Sequence, residues 1–295
     1  MCQFYLLLNH KIDNMILIAD GGSTKVDWIA LGDNKKEIFR TRTKGLNPAI
    51  LTAEKLYSRI IQNFEISQNK DKVKEIYFYG AGCGTPESKA RLKNVFKSIF
   101  VKAIVVVKED MLAAVYAASA GKEAIVCILG TGSNSCYYDG KKSHQNVASL
   151  GYILMDEASG NYFGKKLLID YYYKKMPQSI YDNFQTSYDL SIDEVKKNLY
   201  QQEGANTYLG NFAEFMFKFK DTKYIHQLIK EGFSIFFEYR ILPYNKPASI
   251  PIYFIGSIAY FFEPILKEVA KKNGLSIAGI LRRPIDNLIA YHQEN

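Results

Sequence analysis

Apolar residues come in short blocks along this chain, and the spacing within each block predicts the element it forms. Residues 16–31, ILIADGGSTKVDWIAL, run from an apolar block through a carboxylate, two glycines and two hydroxyls into a second apolar block, the pattern of a β-hairpin. Its turn is poor in side chains, so backbone N–H groups can approach an anion, with Asp20 placed to hold a metal ion beside it. A plainer reading, a Gly-Gly turn capped by Asp20 and Ser23, fits the same residues. Residues 37–43 predict a third strand, and Ala53, Leu56, Ile60, Ile61 and Phe64 recur at helical spacing. A strand at 76–79 runs into Gly80-Ala81-Gly82-Cys83-Gly84; Leu92, Val95, Phe96, Ile99 and Phe100 stripe the next helix; and 103–107 predict a buried strand. Strands alternating with helices imply an α/β fold with right-handed crossovers and a largely parallel sheet edge.

Asp110 follows that strand and precedes a small-residue helix. The carboxyl ends of strands are where open α/β sheets bind ligands, which suits Asp110 to chemistry; it is equally placed as the helix N-cap, and the two roles are compatible. At Ala124 the pattern restarts. IVCILGTGSNSCYYDG repeats the strand, Gly- and hydroxyl-rich turn, and strand about 110 residues after the first hairpin, implying a duplicated architecture in which each half contributes one phosphate-gripping turn. In the loop 150–160, Asp156 and Glu157 can bind sugar hydroxyls or simply enrich a helix start in acid. A helical stretch follows, with a capping-box pattern at 191–194 and a core helix marked by Ile225, Leu228, Ile229, Phe233 and Phe236. The end of the chain returns to α/β: a buried strand at 252–255, a Gly256-Ser257 turn, a helix with Phe261, Ile265, Leu266 and Val269, a last strand within 275–281, and a terminal helix begun by Pro284.

Composition narrows the partners. The chain has 295 residues, enough for two domains, and 47% hydrophobic and 23% charged residues, as in ordinary globular proteins. Its net charge of +8 is scattered over amphipathic segments with no aromatic-studded basic motif, so we expect a solvated surface that favours an anionic substrate and no nucleic-acid partner. Cys2, Cys83, Cys127 and Cys136 show neither CxxC spacing nor a disulfide framework, which points to a reducing, cytoplasmic setting, and no Cys/His cluster argues for zinc. No apolar stretch reaches the ~20 residues of a membrane span. Residues 1–14 lack a signal-peptide pattern and read as an upstream extension. No low-complexity linker divides the halves, so the boundary near Ala124 is expected to be a hinge.

Five motifs in this order resemble the actin-like ATPase superfamily, and more closely the N-acetylglucosamine kinase branch of the BadF/BadG/BcrA/BcrD family. They are the first turn, the GLNP loop at 45–48, Asp110, the second turn with the following acidic loop, and Gly256-Ser257. The resemblance spans residue 15 to the C-terminus and implies a duplicated, ribonuclease H-like α/β fold with two domains around a nucleotide cleft. It implies a first domain at 15–123 completed by the helix 284–295, and a second at 124–283 with a helical insertion at about 157–242. It implies an ATP- and Mg²⁺-dependent kinase acting on the 6-hydroxyl of an amino sugar, N-acetylglucosamine foremost, with N-acetylmuramic acid or another hexosamine as alternatives. A BadF-type ATPase activator and a non-catalytic sugar sensor are the other readings. Carried over residue by residue, Asp110 is the catalytic base and Asp20 the metal-side carboxylate. ATP contacts fall to Gly21, Gly22, Ser23, Thr24, Lys25, Gly130, Thr131, Gly132, Ser133, Gly256 and Ser257, and sugar contacts to Asn47, Ser133, Asn134 and Asp156. The acidic loop departs from the family's GDEG pattern at Met155 and Ala158, each expected to add a side chain beside the sugar pocket. A homodimer is implied by the resemblance alone.

Overall fold

The hairpin at residues 16–31 forms two strands, β1 (Met15–Gly21) and β2 (Lys25–Leu31), paired antiparallel with Ile18 opposite Ile29 and Asp20 opposite Asp27. The computed structural model describes residues 14–22, 24–245 and 247–294; the extension up to residue 13, with Cys2, and the predicted ATP contact Ser23 lie outside the described residues. Strand β3 (Glu37–Lys44) pairs with β2. Helices α1 (Ala53–Ile61) and α2 (Phe64–Asn69) lead to β4 (Val73–Gly80), α3 (Pro86–Ile99) and β5 (Ile104–Glu109). The five strands order as β3-β2-β1-β4-β5, with β1, β4 and β5 parallel.

Two local expectations change here. A continuous helix carrying Phe64 gives way to two short ones, because the Asn63 side chain accepts a hydrogen bond from Ile66 N and caps a new start; Phe64 is left exposed. Strand β5 is the sheet edge rather than a buried strand: Ile104 is 69% exposed and only Val105 is buried.

Chain contacts divide the molecule into two units, one ending at Asp110 and resuming at Gln293, the other spanning Met111–His292. The division falls earlier than residue 123, and most of the terminal helix groups with the second unit. The reason is local. In the second unit Tyr116 stacks on Tyr291 at 4.2 Å between ring centroids, and Asn287 Nδ2 donates to the Ala117 carbonyl at 3.0 Å. In the first, Lys35 and Gln293 exchange two hydrogen bonds. The first unit's core gathers Trp28, Phe78, Phe96 and Phe100, with the buried Trp28 indole N–H satisfied by Thr43 Oγ1 at 3.0 Å.

The second unit opens with α4 (Asp110–Ser119), whose first residue closes the other unit. Then come β6 (Ala124–Leu129), β7 (Ser133–Tyr138) and β8 (Ser143–His144). The helical stretch comprises α5 (Gly160–Tyr172), α6 (Gln178–Ser187), α7 (Ile192–Lys196), α8 (Ala205–Phe212), α9 (Glu214–Lys218) and α10 (Lys223–Phe236). After α10 the helix continues through a wider turn at Phe237–Ile241. The capping box expected at 191–194 does not close: Ser191 makes no side-chain cap, and Glu194 accepts from Asn198 instead. The unit ends with β9 (Ile252–Ile255), α11 (Ser257–Phe261), α12 (Glu263–Lys272), β10 (Ile277–Leu281) and α13 (Ile285–Glu294).

Its sheet reads β8-β7-β6-β9-β10, with β6 and β7 antiparallel and β6, β9 and β10 parallel. That is the arrangement of the first sheet repeated, strand for strand. The duplication read from the two hairpins is thus a duplication of topology. Among the described residues no helix is long and apolar enough to cross a membrane.

Candidate active site

In the first unit the parallel register fixes which residues share the carboxyl ends of the strands. Gly21 of β1 is level with Gly80 of β4, and Gly80 with Glu109 of β5; one residue back, Asp20 lies level with Tyr79. Asp110 follows directly. The chain stays tight here because the Phe78 ring occupies the space in which a Cβ at Gly21 or Gly80 would lie, and Ala81 N donates to the Gly21 carbonyl at 2.8 Å. Gly22 N closes the first turn on the Lys25 carbonyl at 2.9 Å, with Thr24 and Lys25 exposed beside it. The GLNP loop reaches the same end. Gly82 has φ +79°, and a side chain on it would strike Asn47, whose Oδ1 accepts from Ala49 N at 2.9 Å. Asp20, Asp110, Asn47 and the Gly80–Gly84 turn therefore gather at one place.

The electrostatics of this cluster are strained. Burial pushes the Asp20 carboxyl up to about 7, and the neighbouring negative charges of Asp110 and Asp27 add to the shift while Lys25 opposes it. Cys83 is fully buried, and burial, helped by Asp110, pushes its thiol up to about 12, so it is a packing residue rather than a nucleophile. Asp20 offers a hard oxygen donor in a negative setting, which suits Mg²⁺. Among the described residues no group of three or more metal-binding side chains occurs, so an ion held by Asp20 would keep water and phosphate oxygens as its other ligands.

In the second unit the turn is Gly130-Thr131-Gly132, closed by Gly130 N donating to the Gly132 carbonyl at 3.0 Å. The start of α5 seals it from outside: Gly160 N donates to Gly130 O at 2.8 Å and Asn161 N to Thr131 O at 2.9 Å. Asp156 is buried against the turn. Its Oδ1 accepts from Ser133 N at 3.2 Å and its Oδ2 from Asn161 Nδ2 at 3.3 Å. A Cβ on Gly132 would come within 2.9 Å of Asp156 Oδ2, which is why glycine stands there. Burial raises the Asp156 carboxyl, against the pull of the Ser133 and Asn161 hydrogen bonds and of Arg240. Gly256, at φ +120°, lies so close to the Leu129 carbonyl that a side chain would collide with it, and its N–H donates to Leu281 O at 2.9 Å. Ser257 begins α11, and Asn134 is partly exposed with its Oδ1 accepting from Ser135 N. The second turn, Asp156 and Gly256 therefore converge, as Asp20, Asp110 and Asn47 do in the first unit.

The two departures in the acidic loop, Met155 and Ala158, meet different surroundings. Ala158 is fully buried, packed in the cluster that includes Leu129 and Phe163, and it holds φ +58°, where glycine is at ease. Met155 turns its sulfur to Arg240 Nη2 at 3.3 Å and to Leu150 N at 3.4 Å. Sequence reasoning missed Arg240 altogether. A lone arginine inside FFEYRIL was the available signal, since a charge in so apolar a helical run needs a buried partner. It also missed Asn161, Arg59 and Arg91. Arg59 Nη1 donates to the Gly45 carbonyl and Arg91 Nη1 to the Pro48 carbonyl at 2.7 Å, one on each side of Asn47.

Two sheets of matching topology, each with a glycine turn and a carboxylate beside it, define the actin-like ATPase fold in its two-domain sugar-kinase form. A Porphyromonas gingivalis protein bearing the name "putative N-acetylglucosamine kinase" is 34% identical, with 95% of this chain and 99% of that one covered at a TM-score of 0.86. The chain belongs to the family of that protein. A Chromobacterium violaceum protein of the same name, 12% identical over 94% and 98% of the two chains at TM-score 0.68, shares the fold. So does a ROK-family glucokinase from Streptomyces griseus, solved with glucose and AMPPNP, 15% identical over 94% and 97% at TM-score 0.56. No model of a protein family matches the chain. No curated protein matches it either.

Proposed function

We propose that this chain transfers the γ-phosphoryl group of ATP to the 6-hydroxyl of an amino sugar, N-acetylglucosamine first, and that it falls in the N-acetylglucosamine kinase branch of the BadF/BadG/BcrA/BcrD family. The observation that carries this reading is the gathering of Asp20, Asp110 and the Asn47 loop at the carboxyl ends of β1, β4 and β5. Kinship to the Porphyromonas gingivalis protein and the AMPPNP held by the glucokinase of the same fold support it.

Phosphoryl transfer asks the protein for positioning and charge management more than for covalent chemistry. The backbone and hydroxyls of the turns Gly21–Lys25 and Gly130–Ser133, with Gly256 and Ser257, hold the nucleotide in this proposal. Asp20 would hold Mg²⁺, and the bound ion would supply neutralisation of charge on the phosphates. Asn47, Ser133, Asn134 and Asp156 hold the sugar. Asp110 accepts the proton of the 6-hydroxyl as the O6–P bond forms; the bond from the γ-phosphorus to the bridging oxygen breaks, and ADP departs with that electron pair. A panel of amino sugars with ATP, read by ADP release and by the position of the phosphate in the product, tests the reading. ADP release coupled to a 6-phosphorylated N-acetylhexosamine is expected. No sugar-dependent ADP release across the panel refutes it, and preference for N-acetylmuramic acid moves the assignment to that substrate.

A further inference from the structure

Arg240 is 2% exposed, the most deeply buried charged side chain among the described residues, and it sits in the widened helical turn that follows α10. A guanidinium so placed must spend its donors on fixed acceptors. Every acceptor it finds belongs to one loop. Its Nε donates to Glu157 Oε2 at 3.2 Å, its Nη1 to the Val147 and Ala148 carbonyls at 3.3 Å each, and its Nη2 meets Met155 Sδ at 3.3 Å. Met155 and Glu157 are the two residues that flank Asp156. The arginine is itself anchored from behind: its backbone carbonyl accepts from Ser135 Oγ at 2.8 Å, on the strand that leaves the second glycine turn, and Ser135 Oγ is shared with Tyr244 OH at 3.2 Å.

Asp156 needs such a hold. It and Ala158 both sit at positive φ, +67° and +58°, a conformation that costs non-glycine residues of order 1–2 kcal/mol each and reverts unless the surroundings enforce it. Its own contacts with Ser133 and Asn161 fix the carboxylate; they do not fix the loop on either side.

We infer that Arg240 is the positioning residue of the sugar site, clamping residues 147–157 from behind so that Asp156 presents its carboxylate to a sugar hydroxyl in a loop already bent for binding. This rests on the reading of Asp156 as a sugar contact. Met155 is then a second point of grip on the same guanidinium, and its presence here is a feature of the clamp. The planar fork matters as much as the charge, because it reaches a carboxylate, two carbonyls and a sulfur at once, which an ammonium cannot match.

Arg240→Lys and Glu157→Gln in the full chain test this, with KM for sugar, KM for ATP and kcat measured separately and folding checked by urea unfolding. In each variant that stays folded, KM for the sugar is expected to rise by about tenfold to a hundredfold, the penalty of a slightly misplaced contact, with KM for ATP changed by less than about threefold. In Arg240→Ala, added guanidinium at millimolar concentration is expected to lower the sugar KM again where potassium chloride of equal ionic strength does not. Wild-type turnover of an amino sugar is the separate check on the kinase reading. With that turnover present, a folded Arg240→Lys or Glu157→Gln whose sugar KM is unchanged, or whose two KM values rise together, overturns the clamp. Should Arg240→Lys fail to fold, the Glu157→Gln result decides alone.

Discussion

Asp20 lies one residue from the end of β1 with Asp27 across the ladder and Asp110 close by, and burial with those charges moves its carboxyl from 3.8 to about 7. The sign of the consequence follows from proton counting. Between the unfolded value near 4 and the folded value near 7, the native protein holds a proton that the unfolded chain has lost. Stability therefore falls as pH rises through that window; the cost is absent below it and complete above it. At about 1.4 kcal/mol per unit the full cost is at most about 4 kcal/mol, and partial exposure of Asp20 brings it to about 2–4 kcal/mol. Asp20→Asn keeps the shape and removes the charge. In metal-free buffer the variant should match the wild type near pH 4 and exceed it by about 2–4 kcal/mol near pH 8. Urea unfolding followed by tryptophan fluorescence measures this directly, because Trp28 is the chain's single tryptophan and lies in the core of the same unit. A stability gap that does not change with pH, or a wild type more stable than the variant near pH 8, refutes the reasoning.

Three other outcomes follow from the same geometry. Asp110→Asn should keep the fold and nucleotide binding while lowering sugar phosphorylation about 10²- to 10⁴-fold, and near-normal turnover would remove Asp110 as the base. Gly82→Ala forces a left-handed backbone on alanine and drives its methyl into Asn47, so calorimetry should show a loss of about 1–2 kcal/mol and kinetics a raised sugar KM; no change in either would separate Asn47 from the sugar site. Cys83, Cys127 and Cys136 are fully buried, with the Cys83 and Cys127 thiols pushed up by burial, so a thiol reagent near pH 8 should label them only after unfolding, and rapid native labelling of Cys83 would contradict its packing.

The backbone plan was legible in the sequence because it is written in periodicity. Ile16 to Leu31 and Ile125 to Tyr138 each show an apolar block, a side-chain-poor turn and a second block, and strands with those patterns have few other ways to pair. Core stripes such as Leu92, Val95, Phe96 and Ile99 were legible for the same reason. The positions of Asp20 and Asp110 at strand ends were legible because strand ends are short-range features. What was hidden is long-range and charged. Arg240 meets Glu157 across 83 residues and Arg91 meets Pro48 across 43, and no local pattern records such a pairing. The Ser191 capping box failed from the opposite cause: a local pattern was present, and Asn198 drew Glu194 away from it.

Duplicated topology has not meant duplicated chemistry. In the first unit the carboxylate beside the glycine turn is part of the strand itself, Asp20, one residue from the end of β1. The equivalent strand of the second unit, β6, ends in Leu129, which is fully buried. The second turn takes its carboxylate from outside, Asp156, delivered by a loop that needs two positive-φ residues and a buried arginine to hold it. The backbone that carries a strand-borne carboxylate is fixed by ladder hydrogen bonds whatever the carboxylate binds. A loop-borne one is only as well placed as its supports, so exchanging those supports changes the fit of a ligand without disturbing the sheet. Under the proposed function the strand-borne carboxylate falls to the nucleotide and its ion and the loop-borne one to the sugar, so loss of the Arg240 support is expected to change the fit of the sugar while the sheet stays intact.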